Sequence, residues 1–226
     1  MTLILGIDEA GRGPVLGPMI VAGVVIDEKD NAVLKRAGVK DSKLLSPAQR
    51  ERIAIEIKKT AKSIETVIIS AKQIDELMQI MSLNEIELNA MVRIINKLQA
   101  DSVLLDLPSN GPGFMLGLRA KIEKKDKKIV AEHKADSKYL SVGAASIIAK
   151  TTRDGIIAEI QKKYEKYGDI GSGYPADERT TNFLKNYMKS EGKLPDEVRT
   201  AWATTKEILK KDKQSKLFKS SISSQN

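Results

Sequence analysis

The nine residues TLILGIDEA, at positions 2–10, decide the fold, because they are apolar up to two adjacent acids, Asp8 and Glu9. The glycine-rich segment GRGPVLGP (11–18) separates them from the β-branched run MIVAGVVI (19–26). Apolar runs of this length on either side of a glycine turn are typical of paired strands. The sequence therefore predicts a hairpin-like start whose first strand ends in carboxylates.

Strands and helices alternate through the rest of the chain. Serine capping boxes at Ser46 and Ser82, each with a glutamine or glutamate three residues later, predict two helix starts. The further predicted elements are strands around 67–69, 103–105 and 129–131, helices over 46–62, 82–99, 140–167, 177–192 and 195–211, and a breaker loop at 171–175. This order predicts an α/β fold with five strands and a helical extension.

The composition limits the chemistry that the chain can carry. Its 226 residues, 41% hydrophobic and 30% charged, suit one substantial globular domain with a small appendage. There is no cysteine, which excludes disulfides, thiolate zinc sites and a cysteine nucleophile. The single histidine, His133, excludes a two-histidine metal site within one chain and is interpreted as a strand-end residue outside the catalytic set.

The charge favours a polyanionic partner. The formal net charge is +8, and a basic protein of this size is expected to meet nucleic acid. Half of the excess lies in residues 206–226, and the unpatterned stretch 212–226 is predicted to be a basic disordered tail. No apolar run is long enough to span a membrane and no secretory signal pattern is present, so a cytoplasmic protein is expected.

Carboxylates follow several of the predicted strands. Asp8 and Glu9 end the first strand, Asp106 follows the run 103–105, and Asp136 lies just after the run 129–131. A lone acid at a strand end is more often structural, but acids converging from several strands form an all-oxygen site that suits Mg²⁺ or Mn²⁺. Two such ions support phosphodiester hydrolysis. Because successive strand residues face opposite ways, Asp8 and Glu9 can share a site only if the strand twists or ends there.

The glycine turn after the first strand does not fit a dinucleotide-binding motif. Its glycines give the spacing G-x-G-x-x-x-G, and the turn leads into a strand where that motif requires a helix. It offers instead bare backbone amides and places Arg12 beside the acids, an arrangement that suits contact with a sugar-phosphate chain. The alternative interpretation is a tight turn that needs glycine only for its backbone conformation.

Several motifs together resemble those of the ribonuclease HII family in its archaeal form. In chain order they are GIDEAGRGP (6–14) with GP (17–18), KDSK (40–43), Asp106, HKADSKY (133–139), SIIAK (146–150) and GSGYP (171–175). The match runs from residue 6 to about 175, and the two C-terminal helices, with Arg199 and Trp202, are only loosely similar. The resemblance implies a ribonuclease H fold with a five-stranded mixed sheet flanked by helices, and a catalytic domain over residues 1–170, with a helical extension at 171–211 before the tail.

The resemblance also implies the activity and the site. The expected enzyme is a metal-dependent endoribonuclease that cuts RNA in RNA/DNA hybrids and cuts 5′ to single ribonucleotides in duplex DNA, as in ribonucleotide excision during DNA replication and repair. The implied metal ligands and catalytic groups are Asp8, Glu9, Asp106 and Asp136. The implied substrate contacts are Gly11, Arg12 and Gly13 at the ribose 2′-hydroxyl, Tyr174 stacked on the sugar beyond the scissile bond, and Lys43, Lys150 and Arg153 at phosphates.

Two rival functions remain open at this point. One is another metal-dependent nuclease of the same fold without ribonucleotide specificity, and the other is a non-catalytic nucleic-acid-binding module. In the tail, Gln214, Leu217 and Phe218 weakly match a sliding-clamp-binding peptide, although a soluble basic tail is the preferred interpretation. The protein is expected to act as a monomer.

Overall fold

A computed structural model describes residues 2–39, 45–107 and 112–223, except for the side chains of residues 112, 212 and 215–223. Five strands form one sheet: β1 (Leu3–Ala10), β2 (Met19–Asp27), β3 (Ser63–Ile69), β4 (Ser102–Asp106) and β5 (Lys128–Glu132). Their order is β3-β2-β1-β4-β5. The pairs β1–β2 and β2–β3 are antiparallel, whereas β1–β4 and β4–β5 are parallel. The predicted five-stranded mixed sheet is confirmed.

Helices connect and flank these strands. They are α1 (Asn31–Ala37), α2 (Pro47–Thr60), α3 (Ala71–Leu77), α4 (Leu83–Lys97), α5 (Pro112–Lys121), α6 (Ala135–Lys138), α7 (Leu140–Lys163), α8 (Glu178–Glu191) and α9 (Ala203–Ser223). The capping boxes at Ser46 and Ser82 begin α2 and α4 as predicted, and a third box at Ser70 begins α3, which the sequence analysis missed. No helix within the described ranges is long and apolar enough to cross a membrane.

Two predictions for the C-terminal part were wrong. The helix expected over 195–211 begins only at Ala203, because Val198 forms an isolated antiparallel bridge with Leu16, a pairing that helical backbone cannot make. The tail predicted to be disordered from residue 212 continues α9 as far as Ser223. Lysine, glutamine and leucine have high helix propensity, and neither glycine nor proline interrupts residues 203–223.

The contacts divide the chain into two compact units rather than at the predicted boundary near residue 170. The first unit comprises Met1–Arg12, Met19–Ile69 and Ile80–Gly155, and the second comprises Gly13–Pro18, Ser70–Gln79 and Ile156–Asn226. The first unit holds the sheet. The second has its own core, in which the rings of Tyr164, Tyr167, Phe183 and Tyr187 pack against one another.

Glycines bring helices of the first unit onto both faces of the sheet. A Cβ on Gly6 of β1 would lie 2.1 Å from the carbonyl group of Ser141, so the first turn of α7 rests directly on the strand. A Cβ on Gly23 of β2 would lie 2.3 Å from a methyl group of Ile94 in α4. Gly23 pairs with Ile7, the neighbour of Gly6, and paired residues share a face, so α7 and α4 cover opposite faces.

Candidate active site

The parallel pair β1 and β4 brings acids from both strands to one edge of the sheet. Ile7 pairs with Leu105, so the next residues along the two strands, Asp8 and Asp106, are neighbours across the pair. Because parallel strands end at the same edge, these carboxylates and the adjacent Glu9 lie near one another. Burial raises the pKa of both Asp8 and Glu9, and the charge of Asp106 adds to the rise in each case, so the three carboxylates lie within electrostatic reach of one another.

Asp8 lies on the face of the sheet that α7 covers. It is buried and its Oδ1 accepts a hydrogen bond from the Glu9 backbone N–H at 2.8 Å, while Ser146 of α7 hydrogen-bonds its side chain. Burial, followed by repulsion from Glu9, raises the pKa of Asp8 well above its ordinary value, and these two hydrogen bonds only partly oppose the rise. The structure therefore holds a carboxylate where negative charge is costly.

Glu9 lies on the opposite face, toward α4. Burial first, and Asp106 further, raise the pKa of its carboxyl, whereas Arg12 and hydrogen bonds with Asp8 and Glu87 lower it. Asp8 and Glu9 leave the strand on opposite faces, as the alternation of strand residues requires, yet their carboxyl groups stay close enough to interact. They nevertheless belong to one cluster, since Asp106 at the end of the adjacent strand interacts with both.

Glu87 of α4 is a member of this cluster that the sequence analysis missed. Its side chain is 0% exposed, and its Oε2 accepts from Arg12 Nε at 2.9 Å. Burial first, and then the charge of Glu9, raise the pKa of Glu87 to about 8, while the Arg12 guanidinium partly opposes the rise. A signal was present in the sequence: Glu87 shares the buried stripe of α4 with Ala90, Met91 and Ile94, where an acid requires a polar partner.

Arg12 is held in place by the first turn of α4. Besides the ion pair with Glu87, its guanidinium donates to the side-chain oxygen of Asn84. The preceding Gly11 has φ 81°, in the left-handed region that favours glycine, and this bend turns the chain away from β1. The side chain of the predicted ribose contact is therefore fixed before any substrate binds.

The segment after β5 supplies the fourth predicted carboxylate. Lys134 has a left-handed backbone with φ 58°, which is rare outside glycine, and the next residue, Ala135, donates its N–H to Asp106 Oδ1 at 2.8 Å. Asp136 is buried beside it, and its Oδ1 accepts from the Ser137 N–H at 2.9 Å. The bend at Lys134 thus links Asp106 to the stretch that carries Asp136, whereas His133 is exposed.

The donor set of this cluster suits a divalent cation. Three carboxylates repel one another in a buried setting, and the Glu9 Oε2 atom is buried without a hydrogen-bond partner, so a cation would relieve both costs. Carboxylate oxygens are the ligands that hard cations prefer. Within the described part of the chain, however, no three acidic or histidine side chains converge closely enough to enclose an ion as they stand.

The other predicted substrate contacts differ in how accessible they are. Tyr174 is 43% exposed and its ring lies against Gly13, where a Cβ would be 3.3 Å from Cε1. Lys150 of α7 is partly exposed and lies 3.5 Å from Asp154. Arg153 is only 3% exposed, which favours Lys150 over Arg153 for a phosphate contact. Lys43 lies outside the described residues.

The sheet, with acids gathered where β1 and β4 end, defines a nuclease of the ribonuclease H fold. The sequence model of the family described as Ribonuclease HII matches residues 5–205. The chain therefore belongs to the ribonuclease HII family, whose members are endoribonucleases acting on the RNA of hybrids, and dependence on divalent metal is general in that family.

Individual relatives agree with this assignment. The chain is 44% identical over 221 residues to a ribonuclease HII of Methanococcus maripaludis, covering 96% of this chain and 91% of the relative. It resembles the crystal structure of the ribonuclease H2 from Pyrococcus horikoshii OT3 with a TM-score of 0.84 and 40% identity, over 94% of this chain and 99% of that one. It also resembles the structure of the PCNA:RNase HII complex from Archaeoglobus fulgidus, with a TM-score of 0.77 and 42% identity, over 88% and 95% of the two chains.

Proposed function

We propose that Asp8, Glu9, Asp106 and Asp136 hold Mg²⁺ or Mn²⁺. With these ions bound, the enzyme hydrolyses the phosphodiester 5′ to a ribonucleotide and leaves a 3′-hydroxyl and a 5′-phosphate. The observation that carries the proposal is the cluster of Asp8, Glu9 and Asp106 at one edge of the sheet, whose mutual repulsion a cation would relieve. Divalent ions in such a site supply water activation and charge stabilisation on the phosphate.

The surrounding groups orient these ligands. Ser146 and the Glu9 N–H fix Asp8, and the Ala135 N–H fixes Asp106. Hydrogen bonds of this kind hold carboxylates in the orientation that ligation needs.

The glycine turn and Tyr174 would select the sugar. Gly11 and Gly13 allow close backbone approach to the ribose 2′-hydroxyl, with Arg12 held beside them by Glu87. Tyr174, exposed and next to Gly13, would stack on the sugar beyond the scissile bond and so sense a ribo-to-deoxyribo junction. Lys150, with Lys43 and the buried Arg153 as further candidates, would meet phosphates.

The proposed partners are RNA/DNA hybrids and ribonucleotide-containing duplex DNA, bound by a monomer in the cytoplasm, where such duplexes arise during replication. A sliding clamp is a second proposed partner, because a structural relative is found in complex with PCNA. Gln214, Leu217 and Phe218 near the end of α9 are the proposed contacts.

The decisive test is Asp106→Asn. Asparagine keeps an oxygen to accept from the Ala135 N–H but removes a charge that repels Asp8 and Glu9. We expect cleavage of a single-ribonucleotide duplex to fall by about a thousandfold, since a metal supplies several kcal/mol of charge stabilisation. The melting temperature should stay unchanged or rise, and binding of the duplex should persist.

Asp126→Asn is the matched control, because this aspartate is exposed in the turn before β5 and the substitution is chemically identical. It should leave cleavage unchanged. Equal cleavage of an all-DNA duplex would favour a nuclease without ribonucleotide specificity. Full activity of Asp106→Asn, or wild-type cleavage that survives EDTA, would contradict the proposal.

A further inference from the structure

The turn between β1 and β2 pairs with a segment near the C-terminus of the chain. Gly17 donates its N–H to the Glu197 carbonyl at 2.8 Å, and Arg199 donates its N–H to the Val15 carbonyl at 2.9 Å. Leu16 and Val198 form an antiparallel bridge between these bonds. All of these residues belong to the second compact unit. The turn is therefore held by main-chain pairing from Val15 to Gly17.

Two side chains of the same segment hold the carbonyls at the two ends of the turn. Arg199 is 0% exposed and donates from Nε to the Gly17 carbonyl at 3.0 Å. Trp202 donates from Nε1 to the Gly13 carbonyl at 3.0 Å. The guanidinium carbon of Arg199 lies 4.8 Å from the centroid of the Trp202 ring, so the two side chains stack as a cation–π pair.

The turn also positions Tyr174. The Gly173 carbonyl accepts from the N–H groups of Val15 and Leu16, at 2.8 and 3.2 Å, and these bonds fix the loop one residue before the tyrosine. The Tyr174 ring lies against Gly13, with no room for a larger residue unless the ring moves. A shift of the Gly13 peptide would therefore reach the ring directly.

We propose that Arg199 and Trp202 are positioning residues for sugar recognition. By holding the carbonyls of Gly17 and Gly13, they set the placement of the Gly13 backbone and of the Tyr174 ring that rests on it. This inference rests on the proposed function, in which Gly13 and Tyr174 contact the sugars around the scissile bond. It explains why a buried cation and an indole N–H are both directed at main-chain oxygens of one turn.

Trp202→Phe tests the inference, because it removes the N–H donor and keeps an aromatic ring for Arg199 to stack on. The measured quantity is kcat/KM on a single-ribonucleotide duplex divided by kcat/KM on a uniform RNA/DNA hybrid, since Tyr174 is proposed to sense the junction. We expect this ratio to change by up to about tenfold, the usual worth of one hydrogen bond. A merely structural role would lower both values together and leave the ratio unchanged.

Tyr167→Phe is the matched control. It also removes a hydrogen-bond donor from an aromatic residue of the second unit, in this case one that donates to Glu191, and it leaves the turn intact. The ratio should stay at the wild-type value. If wild-type protein shows no preference for ribonucleotide-containing duplex over all-DNA duplex, the proposed function fails. If that preference is present and Trp202→Phe keeps the wild-type ratio, only the positioning role is overturned.

A second measurement needs no substitution at this position. Trp202 is the only tryptophan in the chain, so its emission reports on the turn alone. In Asp106→Asn protein, which we expect to bind the duplex without cutting it, a single-ribonucleotide duplex should shift the emission more than an all-DNA duplex of the same sequence. If Trp202→Phe does not fold, this measurement decides, and equal spectra with the two duplexes overturn the inference.

Discussion

Single residues at this site act through the backbone as much as through their side chains. Asp106 takes its orientation from the Ala135 N–H, and that N–H is aimed by the left-handed bend at Lys134. A left-handed backbone costs a residue with a side chain about 1–2 kcal/mol, whereas glycine adopts it freely. The exposed Lys134 side chain is thus less important for the site than the conformation beneath it.

Lys134→Val and Lys134→Gly separate these two contributions. A β-branched residue resists the left-handed region most strongly, so we expect the valine variant to lose about 1–2 kcal/mol of unfolding free energy and to cleave more slowly. The glycine variant should stay within about 1 kcal/mol of wild type, because its relaxed backbone offsets its larger unfolded-state entropy. Urea denaturation and cleavage of a single-ribonucleotide duplex measure both effects.

Lys128→Val serves as the control for this pair, since Lys128 is exposed on the extended backbone of β5, where a β-branched residue fits. It should not lower stability. Equal stability of the valine and glycine variants at position 134 would show that the bend is not required there.

Among the elements, α8 begins at a carboxylate that also secures the loop carrying Tyr174. Asp177 accepts from the Ser172 N–H at 2.8 Å and from the Arg179 N–H at 3.1 Å, and it pairs with the Arg179 guanidinium at 2.9 Å. Arg179 first, and then the Ser172 N–H, hold the pKa of Asp177 well below its ordinary value. One charged group thus stabilises both a helix start and a loop.

This lowered pKa predicts how acid affects stability. Because the folded pKa lies below the unfolded one, the carboxylate stabilises the fold above about pH 4 and loses this effect as the pH falls further. Asp177→Asn should lower the melting temperature at pH 6, and its difference from wild type should shrink as the pH drops from 4 to 3. Arg179→Gln should weaken the same acid response. A difference between Asp177→Asn and wild type that is constant from pH 6 to pH 3 would contradict this account.

For the molecule as a whole, the net charge of +8 makes substrate affinity depend on salt. Each phosphate contact steepens the plot of log affinity against log salt concentration by about 0.9. Lys150→Gln should therefore reduce the slope by about one if Lys150 meets a phosphate. The control, Lys162→Gln on the same helix, should leave the slope unchanged. Titrations of Asp106→Asn protein with a labelled duplex measure the slopes, and a wild-type slope for Lys150→Gln would remove this contact from the proposal.

Much of the molecule was predictable because the signals are local. The strands, the capping boxes at Ser46 and Ser82 and the acids at strand ends all lie within a few residues of their structural cause. Glu87 was missed because its role depends on α4 covering the face of the sheet toward which Glu9 points. Residues 195–202 were misassigned as helix because their partner, the turn near Leu16, lies about 180 residues earlier in the chain.

The contact at Gly6 has a consequence for anyone wishing to redesign this enzyme. Main chain touches main chain there, so any side chain at position 6 would push α7 away from β1 and separate Asp8 from its supporting hydroxyl on α7. Variant libraries aimed at new sugar preferences should therefore leave Gly6 unchanged. They should vary the turn at Gly13 and the loop at Tyr174, where both residues are exposed to solvent.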